Sequence, residues 1–149
     1  MAKKKNTDYK KNPPLVGNMG LYAVCYELSK RGWNVMPTSR NARGIDVLGY
    51  DQQGTEKITV QVKALSKAAP VPLGTDPTLC NLIADYFVIA RGVRGETPEY
   101  FIARTEDVRP LVHTGEKNGK KSCWLQPKDY KQFKDKWETI GKGWGPDGQ

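Results

Sequence analysis

The stretch "GIDVLGYDQQGTEKITVQVK" most constrains how this chain can fold. Two runs that alternate apolar and polar residues flank a Gly-containing turn, a pattern that predicts a β-hairpin with strands Gly44–Asp51 and Glu56–Leu65. Because Gln52–Thr55 then forms a four-residue loop, Asp51 pairs with Glu56. The hairpin therefore predicts a register as well as a pair of strands.

This register brings three polar side chains to one face. Side chains alternate along a strand, so Gln61 and Lys63 share a face, and Asp46 lies directly across from Gln61. Direct and diagonal cross-strand neighbours are about 5–8 Å apart. We expect Asp46, the Gln61 amide oxygen and the Val62 carbonyl to bind Mg²⁺, with Mn²⁺ as a substitute. Lys63 is then placed to orient or deprotonate a water that attacks a phosphodiester.

Both parts of this interpretation have a structural alternative. On a wet sheet face, Asp46 and Lys63 would form a diagonal salt bridge and Gln61 would only be polar. The α/β pattern argues against this, because helices are expected to cover both sheet faces and a buried polar trio is costly without a role. Glu27 borders the apolar stripe of a first helix, where it either reaches the sheet edge or pairs with Arg31.

Helical and strand-like segments alternate along the chain. The first helix ends at Gly32 and carries an apolar stripe at Leu21, Val24, Cys25 and Leu28. The other predicted elements are a strand in "WNVMPTS", a loop in "SKAAPVPLGTDPT", a short helix from Asp76-Pro77 to about Ala84, strands at 85–91 and 99–104, a turn or short helix in "TEDVRPLV", a strand in "SCWLQ" and a final helix from about Lys128 with Tyr130, Phe133 and Trp137 on one face. This α-β-β-β-α-β order with a C-terminal helix predicts an α/β fold, a mixed β-sheet flanked by helices.

Length and charge limit the domain organisation and the partners. We expect one domain at 15–140, between a basic disordered tail at 1–14 and a flexible C-terminal tail at 141–149. The formal net charge is +8, and lysines cluster in 1–14 and in 117–142. Such clusters displace counterions from phosphates and so indicate a nucleic-acid partner. The alternative is a solubilising tail and a solvated helix face.

Missing patterns exclude several other classes. The sequence has no apolar run long enough to span a membrane and no apolar segment behind its basic start, so neither a membrane protein nor a secretory signal is expected. Cys25, Cys80 and Cys123 are widely spaced and odd in number, which indicates neither a disulfide framework nor a zinc site and favours a reducing cytoplasm. The single histidine, His113, has no partner motif. No organic cofactor is expected.

The order of these residues resembles the PD-(D/E)XK nuclease superfamily, which has the restriction-endonuclease-like fold. Glu27 in a first helix, "GID" at Asp46 and "QVK" at Gln61–Lys63 are similar to its motif, most of all in the Holliday-junction-resolvase and Mrr-like branches. The resemblance covers about residues 17–104. It implies hydrolysis of DNA, metal on Asp46 and Gln61, a catalytic Lys63, an accessory acidic Glu27 and often a homodimer.

Two positions depart from the motif. Ile45 stands where the superfamily has Pro, at a position that packs rather than reacts, and Gln61 stands where Asp or Glu is usual. The second change removes a negative charge from the metal site, although some branches of the superfamily carry Gln there. Ser39, Arg40 and Arg43 precede Asp46 in a loop and are expected either to contact DNA phosphate or to be solvated.

These observations favour a Mg²⁺-dependent endodeoxyribonuclease. The rival hypothesis is a nuclease-fold module that binds DNA without cutting it, since Gln61 weakens the metal site. An RNA-associated protein is less favoured, because no RNP or KH signature is present.

Overall fold

The computed structural model describes residues 13–39, 43–75 and 82–145. The elements are α1 (Pro13–Lys30), β1 (Asn34–Pro37), β2 (Val47–Tyr50), β3 (Lys57–Leu65), β4 (Val71–Gly74), β5 (Tyr86–Arg91), β6 (Glu99–Arg104), α2 (Thr105–Val108), β7 (His113–Lys117), β8 (Lys120–Leu125) and α3 (Pro127–Tyr130). Single 3₁₀ turns span Arg109–Leu111, Lys131–Phe133 and Trp137–Thr139. Five strands form a mixed sheet in the order β1-β2-β3-β5-β6, and three form a second sheet in the order β4-β8-β7.

The β2–β3 hairpin has the predicted register. Val47 faces Val60, and at the turn the N–H of Asp51 donates to the carbonyl of Glu56. The Asp51 carboxylate accepts hydrogen bonds from the Thr55 hydroxyl and from the N–H groups of Thr55 and Glu56. These bonds, the hydroxyl first, hold the pKa of Asp51 below its usual value. A turn fixed in this way also fixes which side chains lie on each face of the sheet.

The two faces of the five-stranded sheet carry separate cores. α1 packs across β3 and β5 on one face, and it is closest at Gly20, where an added Cβ would overlap the Cβ of Ala64. The first core contains Val16, Val24, Leu28, Val47, Ile58, Val60, Val88, Ala90 and Ile102. The second core lies on the other face, under the three-stranded sheet, and contains Val71, Leu73, Phe87, Ile89, Phe101, Val108, Leu125 and Tyr130.

The predicted α/β class is confirmed, but a second sheet takes the place expected for helices. The loop predicted after β3 contains β4, which pairs with β8 and not with the five-stranded sheet. The short helix predicted from Asp76 lies mostly outside the described residues, and its described end, at 82–84, is not helical. One face of the main sheet is therefore covered by strands.

The predicted C-terminal helix is corrected to short turns. α3 ends after one turn, and Asp135 takes a left-handed conformation with a φ of 55°. Its N–H donates to the carbonyl of Tyr100 at 2.9 Å, so the chain bonds to β6 where a helix would bond to itself. Tyr130 and Trp137 are still buried, because the apolar pattern reflects burial here and not a helical period.

The β7–β8 hairpin was predicted only in part, as a strand in "SCWLQ". Asn118 and Gly119 form its two-residue turn, with positive φ values of 53° and 76°. This is the geometry of a type I′ turn, for which Asn-Gly is the preferred sequence. The Asn-Gly pair is therefore the signal that identifies the hairpin.

Both predicted domain boundaries shift outward. α1 begins at Pro13, inside the predicted tail, because proline suits the first turn of a helix, where its missing N–H is not needed. Residues 1–12 lie outside the described residues. At the other end, the Trp33 indole donates to the Gly141 carbonyl at 3.1 Å, and the Gly143 N–H donates to the Arg31 carbonyl at 2.9 Å. The segment 141–144 is therefore part of the domain.

Two further findings concern the compartment predictions. No helix in the described ranges combines the length and the apolar character that a membrane crossing requires. Within the described residues, neither Cys25 nor Cys123 is part of a disulfide, and Cys80 lies outside the described residues.

The close approach of α1 to the sheet gives a matched pair of glycine variants. Gly20→Ala should lower the free energy of unfolding by about 1–3 kcal/mol, because its methyl group has no room beside Ala64. Gly17→Ala, where an added Cβ meets nothing within 4 Å, should raise it by about 0.5–1 kcal/mol through helix propensity. Urea denaturation of both variants checks this, and equal effects would contradict the packing described for Gly20.

Candidate active site

The candidate site forms where β2 stops pairing with β3. The ladder ends at Val47, opposite Val60, while the other edge of β3 stays paired with β5 as far as Leu65. Just before β2, the N–H of Asp46 donates to the Val60 carbonyl at 2.9 Å. The N–H of Val62 then donates to Oδ2 of Asp46 at 2.7 Å. A carboxylate therefore takes the place of the next strand residue, and the edge of β3 is open beyond it.

The carbonyl of Val62 points into the same space. The N–H and C=O of one strand residue lie on the same side of the strand, and the N–H of Val62 points toward Asp46. Val62 therefore presents a carbonyl oxygen beside the Asp46 carboxylate, in the position where the sequence predicts a metal ligand.

An open cavity of about 270 Å³ lies against this edge. Asp46 is the single carboxylate among its lining residues, which are Gly17, Asn18, Leu21, Thr38, Ser39, Asp46, Val62 and Ala64. Thr38 holds the loop in place, because its N–H donates to the Asp46 carbonyl at 2.9 Å and its hydroxyl donates to the Ile45 carbonyl at 2.6 Å. The position of Asp46 is thus fixed from both neighbouring strands.

Gln61 is buried with an unsatisfied oxygen. Its exposed fraction is 4%, and its Oε1 finds no hydrogen-bond donor within the described residues. A buried polar atom without a partner costs about 1–3 kcal/mol. Gln61 precedes Val62, whose N–H bonds to the Asp46 carboxylate, but Gln61 does not line the cavity.

Lys63 is half-buried on the same face as Gln61. The parallel register sets Gln61 beside Phe87 and Lys63 beside Ile89, and both of these partners belong to the second core. Burial lowers the pKa of the Lys63 ammonium, and the Asp46 carboxylate offsets part of this effect. Lys63 therefore interacts electrostatically with Asp46 and releases its proton more easily than an exposed lysine.

The donors present fit Mg²⁺. The Asp46 carboxylate, the Gln61 amide and the Val62 carbonyl are hard oxygen donors, and few protein ligands leave places for water and a substrate phosphate. The unsatisfied Oε1 of Gln61 is the observation that supports this fit. Across the described ranges, His, Cys, Asp and Glu side chains form no group of three that could hold a metal, so such a site would depend on neutral oxygens around one carboxylate.

Glu27 lies apart from the cavity. Its Oε2 accepts from Lys30 and from Arg31, each at 2.9 Å, and Arg31 in turn lies over the ring of Trp137. The cavity touches only the first half of α1. The structure therefore joins the Asp46 carboxylate to the backbone of Val62 and places it within electrostatic reach of Lys63, and it leaves Glu27 in the i,i+4 pair with Arg31 that was the alternative interpretation.

The predicted DNA contacts are placed only in part. Ser39 is exposed and lines the cavity, and Arg43 is exposed in the segment that leads to Asp46. Arg40 lies outside the described residues. Asn18 and Thr38 also line the cavity, but no sequence pattern distinguishes them from ordinary polar residues.

Comparison with solved structures identifies the fold. A bacterial homing endonuclease superposes with a TM-score of 0.58 and 16% identity, over 87% of this chain and 93% of the other. The Holliday junction resolvase Hjc from the archaeal hyperthermophile Archaeoglobus fulgidus gives a TM-score of 0.49 and 14% identity, over 73% and 89%. The chain has the restriction-endonuclease-like fold, as predicted. No family model matches the sequence, and a search of curated proteins finds no match.

Because burial disfavours the charged form of Lys63, we expect this side chain to lower the free energy of unfolding. Because its pKa is lowered in the folded protein, the unfolded chain binds more protons between the two pKa values, and stability rises with pH in that window. Lys63→Met should therefore raise the free energy of unfolding near neutral pH by about 0.5–2 kcal/mol, measured by urea denaturation. This gain should shrink as the pH rises toward the pKa of lysine in the unfolded chain.

Lys57 provides the control for this experiment. It lies on the same strand, at the opposite end, and is exposed, so Lys57→Met should change stability little at any pH. A Lys63→Met protein that is less stable than the wild type at neutral pH would contradict the assignment of a destabilising buried ammonium.

Proposed function

We propose that this protein is a Mg²⁺-dependent endodeoxyribonuclease that hydrolyses phosphodiester bonds at the open edge of β3. The Asp46 carboxylate at the open edge of β3, bonded to the Val62 N–H next in sequence to the buried, unsatisfied Oε1 of Gln61, carries this proposal. Such an oxygen is costly in a folded protein unless a ligand supplies the missing partner. The fold supports the same proposal, because a solved structure that superposes on this chain is a homing endonuclease.

Asp46, Gln61 and Val62 would hold the metal. When bound, Mg²⁺, or Mn²⁺ in its place, polarises a phosphoryl oxygen and lowers the pKa of water. Asp46 supplies the negative charge of the site, and its bond to the Val62 N–H orients the carboxylate. Gln61 and Val62 contribute neutral oxygens, so the site carries less charge than one with two carboxylates.

Lys63 would handle the proton of the attacking water. Its lowered pKa increases the fraction of neutral amine, and a neutral amine accepts the proton as the water oxygen bonds to phosphorus and the bond to the leaving oxygen breaks. In its protonated form the same group stabilises the negative charge on the phosphoryl oxygens. Cleavage should therefore speed up as the pH rises through the pKa of Lys63.

DNA is the proposed substrate because of charge and cavity position. The net charge of +8 favours a polyanion, and the cavity opens beside the exposed Ser39. Arg40 and Arg43 remain proposed phosphate contacts. A homodimer that cuts both strands and a cytoplasmic location remain predictions.

Plasmid cleavage tests this proposal. Purified protein with supercoiled plasmid and Mg²⁺ or Mn²⁺ should produce nicked and linear DNA, and Asp46→Asn should reduce this by about 10²-fold or more, since it removes the single carboxylate of the site. Glu27→Gln serves as the matched control, because that carboxylate pairs with Lys30 and Arg31. Full cleavage by Asp46→Asn, or equal loss in both variants, would refute the assigned site.

Replacing the Gln61 amide with a carboxylate should increase the affinity of the site for metal. Gln61→Glu supplies a second carboxylate, so the Mg²⁺ concentration for half-maximal cleavage should fall, by about tenfold. Gln61→Met removes the unsatisfied oxygen, and it should abolish cleavage while raising the free energy of unfolding by about 1 kcal/mol. Metal titration and urea denaturation measure the two effects. Unchanged Mg²⁺ dependence in Gln61→Glu would show that this position is not a ligand.

The single carboxylate also favours a second candidate function. A module that kept the nuclease fold but binds metal weakly would bind DNA without cutting it. In that case neither the wild type nor Asp46→Asn would cleave, both would bind DNA with the same salt dependence, and Gln61→Glu would be the variant that gains cleavage.

A further inference from the structure

The β7–β8 hairpin extends beyond the sheet that supports it. β4 pairs with β8 at Cys123, Trp124 and Leu125, so within the described residues the part of the hairpin at 115–122 consists of two strands and their turn. Three strand residues beyond Cys123 extend it by about 10 Å. We call residues 115–122 the arm.

Packing at its base makes the arm a stiff extension of the domain. The rings of His113 and Trp124 stack with centroids 5.9 Å apart and planes 17° apart. Nε2 of His113 lies 2.7 Å from Oδ2 of Asp129 in α3, and the Trp124 ring covers Gly115, where a Cβ would lie 3.0 Å from it. At the tip, the two-residue Asn-Gly turn fixes the twist of the strands.

Lysines lie on both faces of the arm. Lys117 faces Lys120 across the turn, and Lys121 faces Glu116. Since side chains alternate along a strand, Lys120 and Lys121 lie on opposite faces. None of these three lysines forms an ion pair within the described part of the chain, so their charge is available to a partner.

The arm lies on the side of the main sheet toward which Gln61 and Lys63 face, whereas the cavity beside Asp46 is lined from the α1 side. The three-stranded sheet covers the second core, which contains Phe87 and Ile89. These two residues are the strand neighbours of Gln61 and Lys63. A polyanion that contacts the arm therefore approaches the face of the sheet that carries the catalytic lysine.

We propose that the arm inserts into the major groove of duplex DNA, with the lysines of its two faces contacting the two phosphate backbones that border the groove. The major groove is about 12 Å wide and 8.5 Å deep and admits a two-stranded β-ribbon, which matches an extension of about 10 Å. Lysines on both faces favour insertion over flat contact, because a ribbon lying on the duplex surface needs lysines on one face only; the face of Lys117 and Lys120 carries the excess positive charge, since Lys121 shares its face with Glu116. This inference rests on the proposed function for its choice of DNA.

A pair of double variants tests the inference. Lys117→Ala with Lys121→Ala removes one lysine from each face of the arm. Lys57→Ala with Lys142→Ala is the control, since it removes the same charge from two exposed residues at the end of the domain that carries the β2–β3 turn. Both are made in the Asp46→Asn background, so that binding is measured without cleavage.

Fluorescence anisotropy of a labelled duplex is measured without metal over a series of NaCl concentrations. The arm variant should lower the slope of log Kd against log salt by about 1.8, the value for two lost phosphate contacts, and weaken binding about tenfold. The control should keep the wild-type slope. An equal change in both variants, no change in the arm variant, or the same change on single-stranded DNA or RNA would overturn groove insertion.

The outcome is separable from that of the proposed nuclease function. Loss of duplex binding by the arm variant, in a protein whose wild type cuts no plasmid, would support the arm and refute the nuclease. Plasmid cleavage by a wild-type protein whose arm variant binds duplex DNA normally would support the nuclease and overturn the arm.

Discussion

The hydrogen bond from the Val62 N–H to the Asp46 carboxylate is the interaction on which the rest of the site depends. It satisfies a strand N–H that would otherwise need a sheet partner, so β2 can end at Val47 without exposing an unpaired donor. The space that a continued β2 would fill becomes the cavity. One aspartate therefore both ends the pairing of two strands and supplies the charge of the opening, which couples the local fold to the chemistry.

The same region holds two side chains whose burial lowers the stability of the fold. Gln61 buries an oxygen without a donor, and Lys63 buries part of an ammonium whose pKa is lowered as a result. Both residues lie on a nine-residue strand held by β5 along one edge and by a fixed turn at its start. Pairing with β5 and the fixed turn thus support two side chains that the core would not otherwise accept.

Local chemistry explains which parts of this fold could be predicted. The hairpin register from Val47 to the turn followed from loop length and alternation, whereas the bond of Asp46 to the Val62 backbone depends on where β2 stops pairing. The prediction of a C-terminal helix was wrong because the spacing of Tyr130 and Trp137 reflects burial. The left-handed conformation of Asp135 depends on a hydrogen bond to the carbonyl of Tyr100, a residue that is distant in sequence. Whether Glu27 pairs with Arg31 or reaches the sheet edge depends on the rotation of α1, which the packing of Gly20 on Ala64 determines.

The early start of α1 has a consequence for how charge is delivered. Gly17 lines the cavity. Pro13, the first residue of α1, lies four residues before it, which corresponds to about 6 Å along the helix axis. Residues 1–12, which contain five lysines, are joined to the domain at that point. A charge carried at the start of α1 therefore acts on the Asp46 opening over a short distance.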